Sequence, residues 1–162
     1  MVSRQRFGGR VVSQSLSQIY LHIVFSTKER TPFLQELATR DAMHKCLAKT
    51  SNDLGCSCVK VGGVADHVHL LCRMAKTVSA SELIKELKRA SSAWIKQQFP
   101  EMKEFYWQNG YGAFSVSPSH VDPLKAYIAN QDEHHRHESF QDEFRRLLRK
   151  YGIEFDERYV WD

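Results

Sequence analysis

Two β-rich runs, residues 56–64 (CSCVKVGGV) and 67–74, are separated only by Ala65 and Asp66. A connection that short joins two strands as an antiparallel hairpin and in no other way. The hairpin therefore anchors the middle of any fold open to this chain. Before it come a β-rich segment at 16–27 and, over 34–54, apolar residues at mostly helical intervals, closed by Gly55. After it, Ser79-Ala80-Ser81-Glu82 forms a capping box that opens a helix to about residue 99, where Pro100 ends it. Residues 105–117 hold aromatics around the turn pair Asn109-Gly110 and read as one or two short strands.

Asp122 as N-cap and Pro123 as first helical residue predict a helix running to about residue 137. Ser139 begins another over 140–151, closed by Gly152, and the amphipathic tail 153–162 is expected to pack on the domain. The order β-α-β-β-α-β matches the split βαβ arrangement. The predicted fold is α+β: a ferredoxin-like antiparallel sheet with helices on one face, plus C-terminal helices. Residues 1–14, with Arg4, Arg6 and Arg10, read as a flexible basic arm, and 15–162 as a single domain.

The chain has 162 residues, 42% of them hydrophobic, enough for one domain with a real core. Nothing approaches the roughly 20 apolar residues that span a bilayer, and residues 1–10 hold no apolar signal core. A cytoplasmic protein is expected. Cys46, Cys56, Cys58 and Cys72 contain no Cys-x-x-Cys pair, which argues against a zinc knuckle and for reduced thiols. Net charge is +4, and residues 76–103 carry six Lys or Arg against three Glu, so one surface is suited to an anion.

The hairpin also carries chemistry. In a strand, residues two apart face the same way, so His67-Val68-His69 aims both imidazoles at one point and sends Val68 and Leu70 to the opposite face. Two convergent neutral imidazoles make most of a divalent-metal site, though two histidines can also simply share a strand face. Tyr127 and Gln131 lie four residues apart, one helical turn, and project from one face. A phenol with a pKa near ~10 is a poor nucleophile at neutral pH. A divalent ion between His67, His69 and Gln131 would bind a phosphate oxygen and withdraw its charge. The phenolate could then attack in line to form a phosphotyrosine, which a free 3′ hydroxyl can later reverse. Mg²⁺ or Mn²⁺ suits two nitrogens and a neutral oxygen, and Zn²⁺ stays open.

At these residues the chain resembles the single-tyrosine HUH transposases, small enzymes of insertion sequences that move as single-stranded DNA. The matching pieces are YLHIVFSTK at 20–28, DHVHLL at 66–71, FYWQ at 105–108 through SVS at 115–117, and YIANQDEHH at 127–135. The resemblance implies that His67 and His69 are the paired ligands, Tyr127 the nucleophile and Gln131 the third metal ligand. It implies a homodimer that binds imperfect hairpins near element ends and a 5′-phosphotyrosine intermediate. Whether Tyr127 acts in cis or in trans stays open.

Lys85, Lys88, Arg89 and Lys96 form a basic stripe on the second helix and are candidate DNA contacts, or a solvated face. His134, His135 and Arg136 are candidate DNA contacts too, although positive groups also favour a helix C-terminus. Trp107 and Tyr111 either stack on unpaired bases or pack on the sheet. Asp66 either orients His67 or serves only the turn, and His22 reads as packing. Two other functions remain open: a metal-dependent phosphodiester hydrolase using water, and a non-catalytic module that binds single-stranded nucleic acid.

Overall fold

The computed structural model describes residues 13–162. The basic arm expected over 1–14 falls, but for its last two residues, outside them. Strands β1 (Tyr20–Ser26), β2 (Ser57–Gly63), β3 (His67–Arg73) and β4 (Gly112–Val116) form one sheet in the order β2-β3-β1-β4, with every neighbouring pair antiparallel. Helix α1 (Leu37–Asp53) links β1 to β2, and β3 inserts between them. Helix α2 (Ala80–Gln98) links β3 to β4 across β1 in the same way. This is the expected split βαβ fold.

Strand alternation divides the interior. Ile23, Phe25, Val68, Leu70 and Cys72 face α1 and α2, where Met43, Leu47, Leu83, Ile84, Leu87 and Ile95 meet them. Burying one such side chain stabilises the fold by about 1.5–3 kcal/mol. The other face is closed by helices α3 (Val121–Ala129), α4 (Gln131–His134) and α5 (Phe140–Lys150). Phe140, Phe144, Leu147 and Leu148 of α5 cover Val24 and Phe114, while Leu124 and Ile128 of α3 cover Leu71 and Val116. The sheet is thus buried on both faces, and the tail joins α5 through Phe155, Val160 and Trp161.

Local signals act as their chemistry requires. Ser79 Oγ accepts from the Glu82 backbone N–H and Glu82 returns the bond to Ser79, completing the capping box of α2. Gly55 follows α1 at φ 78°, a left-handed conformation that glycine adopts without a Cβ clash. The four cysteines are free thiols.

Two boundaries differ from expectation. Asp122 is not the N-cap: the single turn Pro118–His120 leads directly into α3, so Asp122 and Pro123 fall in its first turn, where a missing proline N–H is harmless. The helix expected to run unbroken to about residue 137 stops at Ala129. Asn130, at φ −102° and ψ 24°, turns the chain before α4, and Gln131 is carried into the interior.

Helix α3 docks on β2 at Gly62. A Cβ there would run into the Ile128 carbonyl oxygen and come within 2.8 Å of Ile128 Cγ2. Gly62→Val is expected to destabilise the fold by about 1–3 kcal/mol through overpacking. Chemical denaturation reads this directly, and an unchanged midpoint would refute the close approach.

Candidate active site

The site lies between β1 and β3 on the face that α3–α5 cover. Ser26 stands opposite His67 and Val24 opposite His69 in the sheet. His67 and His69 are fully buried. Each uses Nδ1 on an outer partner: His67 Nδ1 is 2.7 Å from Asp66 Oδ1, and His69 Nδ1 shares a proton with His22 Nε2 at 2.8 Å. Both rings therefore present Nε2 inward, the arrangement that fixes a metal-binding imidazole. Asp66 orients His67, and His22 is a hydrogen-bonded partner rather than packing alone.

The inward nitrogens meet a buried carboxylate, Glu143 of α5. Its Oε1 lies 2.9 Å from His69 Nε2, 3.1 Å from His135 Nε2 and 3.3 Å from His67 Nε2. Gln131 Oε1 is 3.1 Å from His67 Nε2, and Gln131 Nε2 donates to Glu143 Oε2 at 3.3 Å. The Tyr127 hydroxyl donates to that same Oε2. Arg146 Nη2 donates to the Tyr127 oxygen at 2.9 Å, and His134 Nε2 lies 3.3 Å from it. One carboxylate thus has one oxygen among imidazoles and the other on a phenol. All of these groups come from one chain.

Charges follow from this packing. Burial raises the Glu143 carboxyl, but hydrogen bonds from His135, His67 and His69 outweigh it and hold it well below the usual carboxylate range. Burial lowers His67, yet Asp66 and Glu143 overcome it and push His67 up to about 9. His69 falls, because burial outweighs its bond to Glu143. Tyr127 is raised by burial and by the negative Glu143, with Arg146 opposing both.

The donor set fits a divalent cation. One ligand atom each from His67, His69, His135 and Glu143 lies within 4.8 Å of all the others. Two donors each about 2.1 Å from one ion and at right angles stand about 3.0 Å apart, close to the contacts that surround His67 Nε2.

Of the residues singled out from the sequence, His67, His69, Tyr127 and Gln131 come together here, and His135 joins them. His134 sits beside Tyr127, while Arg136 is exposed and 3.4 Å from Glu133. Lys85, Lys88, Arg89 and Lys96 lie on α2, which packs against the opposite face of the sheet. Lys88 turns inward to the carbonyls of Gln108, Asn109 and Gly110, and burial lowers its pKa to about 8. Arg89 pairs with Glu86, and the Lys96 ammonium lies 3.9 Å from the centre of the Tyr106 ring. Trp107 is a core residue that donates to Ser91 Oγ at 2.9 Å, whereas Tyr111 stays exposed.

Sequence reasoning missed Glu143 and Arg146. A signal for Glu143 was present: it falls among Phe140, Phe144 and Leu147, on the apolar stripe of α5. A carboxylate on a buried stripe requires partners.

The comparisons agree with this architecture. A protein of Deinococcus radiodurans R1, described as a candidate transposase, superposes with a TM-score of 0.61 at 24% identity, covering 75% of this chain and 97% of its own. A REP-associated tyrosine transposase, solved bound to a REP hairpin, gives a TM-score of 0.52 at 14% identity, covering 79% of this chain and 70% of its own. At these identities the likeness shows the fold. No curated protein sequence matches the chain. The sequence pattern described as "Transposase IS200 like" matches residues 15–131, more than two thirds of the length, so the chain belongs to the IS200-like transposase family.

Proposed function

We propose that this transposase-family chain cuts and rejoins single-stranded DNA at hairpin-bearing ends through a 5′-phosphotyrosine on Tyr127. The observation that carries the reading is the gathering of Tyr127, Gln131, His67 and His69 around Glu143 within one chain. A binding module has no use for a phenol aimed at a buried carboxylate.

His67, His69 and Gln131 would hold a divalent cation, with Glu143 and His135 facing the same point. Such a cation supplies Lewis acidity to a phosphate oxygen. A donor set this rich in imidazole favours Mn²⁺ over Mg²⁺. The protein's own groups do the rest. Glu143 Oε2, which the phenol hydroxyl already faces, relays the phenol proton to solvent, and the Tyr127 oxygen attacks the scissile phosphorus in line. The new Tyr–O–P bond replaces the P–O3′ bond, and the 3′ oxygen, leaving on the side opposite Tyr127, takes one proton from solvent to become a free hydroxyl. Rejoining runs the same steps backwards. Asp66 and His22 hold the two imidazoles in orientation throughout.

The hairpin substrate follows from the resemblance and from the hairpin held by the REP-associated relative. On the strand, Lys85, Arg89, Arg136 and His134 are proposed contacts. We propose action in cis, because Tyr127 reaches the histidines of its own chain. The homodimer is likewise a proposal, and sedimentation with and without hairpin DNA tests it. No helix among the described residues is long and apolar enough to cross a membrane. We place the chain in the cytoplasm, on the nucleoid when bound to DNA.

The direct test mixes the protein, Mn²⁺ and an end-labelled hairpin-bearing strand. A covalent protein–DNA band that chelation abolishes is expected. Absence of the band from strands that the protein binds would sink the reading.

A further inference from the structure

We propose that Arg146 is a catalytic residue: a built-in second positive charge that grips the scissile phosphate and the phenolate oxygen opposite the divalent cation. The inference rests on the reading above and extends it to α5, which lies beyond the residues that the family pattern matches.

Two groups of potential ligands share Glu143. One is His67, His69, His135 and Glu143; the other is His134, Glu138 and Glu143, on the Tyr127 side. Enzymes that transfer phosphoryl groups with two metal ions place them about 3.5–4 Å apart, one near the attacking oxygen and one near the leaving oxygen. Here the second position already holds a cation. Arg146 Nη2 lies 2.9 Å from Tyr127 Oη, 3.2 Å from His134 Nε2 and 3.1 Å from Glu138 Oε2. Its Nε donates to Glu138 Oε1 at 3.1 Å, so Glu138 holds the guanidinium in place through two nitrogens. The guanidinium also lies 5.9 Å from the centre of the Tyr127 ring.

Three features suit this group to phosphate. A guanidinium stays charged at any working pH and offers a planar fork that matches two phosphate oxygens. Nε and Nη2 already face Glu138, but Arg146 Nη1 makes no hydrogen bond among the described residues and the side chain is 46% exposed, so the Nη1 side of the guanidinium is left open to solvent. Once Tyr127 Oη is bonded to phosphorus, the non-bridging oxygens sit next to the nitrogen that already touches Oη. In the step itself the Oη–P bond forms, P–O3′ breaks, the phenol proton passes through Glu143 to solvent and O3′ takes one proton from solvent. Arg146 exchanges no proton. It stabilises negative charge on the phenolate and on the phosphate oxygens as bonding changes, which in comparable sites is worth about 10²–10³ in rate.

The test compares wild type, Arg146→Lys and Arg146→Ala on the hairpin-bearing strand with Mn²⁺. Arg146→Ala should slow both adduct formation and the resealing of isolated adduct by about 10²–10³-fold, with strand affinity and Mn²⁺ affinity nearly unchanged. Arg146→Lys should recover part of the loss. A single sulfur in place of one non-bridging oxygen of the scissile phosphate gives a second readout. One of the two diastereomers should slow wild type more than it slows Arg146→Ala, because the contact it weakens is already absent from the variant.

An Arg146→Ala rate within threefold of wild type overturns the proposal and leaves the tyrosine reading intact. So does a loss confined to strand affinity, or equal sulfur effects in both proteins. If wild type itself forms no adduct, the tyrosine reading fails and this inference falls with it.

Discussion

Tyr127→Phe is expected to remove the covalent DNA adduct entirely while leaving strand affinity and Mn²⁺ affinity close to wild type. The substitution deletes one oxygen. That oxygen donates to Glu143, accepts from Arg146 and lies 3.3 Å from His134 Nε2, and each of these three groups keeps another partner when it is gone. Removing a half-buried hydroxyl changes stability by about 1 kcal/mol, too little to unfold a domain. The phenyl ring keeps its edge-on contact with His69, whose ring centre is 5.9 Å away, so the imidazoles stay in place. The same variant separates the three functions open to the sequence. Cleavage without a protein–DNA link, surviving in Tyr127→Phe, would assign the site to a hydrolase using water. Binding indifferent both to chelation and to the loss of His67 would assign it to a module without chemistry.

Much of the fold was legible because short-range chemistry dictates it. The short connection of Val64, Ala65 and Asp66 forces the β2–β3 hairpin, and the capping box at Ser79 and Glu82 sets the start of α2. Strand alternation then fixes which face His67 and His69 share, whereas the helical turn expected between Tyr127 and Gln131 is interrupted at Asn130, and the packing of α3 and α4 on β2 brings the two residues together. What the sequence left dark depends on contacts distant along the chain. The charge stripe on α2 suggested solvent or DNA for Lys88, but the 108–110 carbonyls arrive from another element and take up its ammonium. The turn at Asn130 carries no strong breaker, and it follows from placing Gln131 against His67. Glu143 lies 74 residues from His69 in sequence, and only the packing of α5 on β1 and β4 brings it there. Its acidity blended with neighbouring surface charges such as Asp142, so the apolar residues around it were the better guide.

Cation binding should be coupled to proton release, and the geometry fixes the sign. His67 is opposed by burial but held protonated by Asp66 and Glu143, to about 9. Below that pH a cation must displace the Nε2 proton. His69 is lowered and Glu143 is ionised well below neutrality, so neither adds a second proton near pH 7.5. Apparent Mn²⁺ affinity should therefore rise about tenfold per pH unit toward pH 9 and level off above it, since a one-unit shift corresponds to 1.36 kcal/mol. Calorimetry at pH 7.5 in buffers of different ionisation enthalpy should read close to one proton released, and a value near zero would remove His67 from the ligand set. Stability without cation must run the other way. A folded pKa raised above the unfolded value of about 6.5 contributes stability that is complete below 6.5 and lost as pH climbs through about 9. Melting temperatures with and without Mn²⁺ should thus diverge between pH 6 and pH 9. Glu143→Gln removes one of the two carboxylates that hold the proton on His67. In that variant the rise in affinity should level off at a lower pH, and the plateau itself should sit below wild type because the buried negative charge that faces the cation is gone.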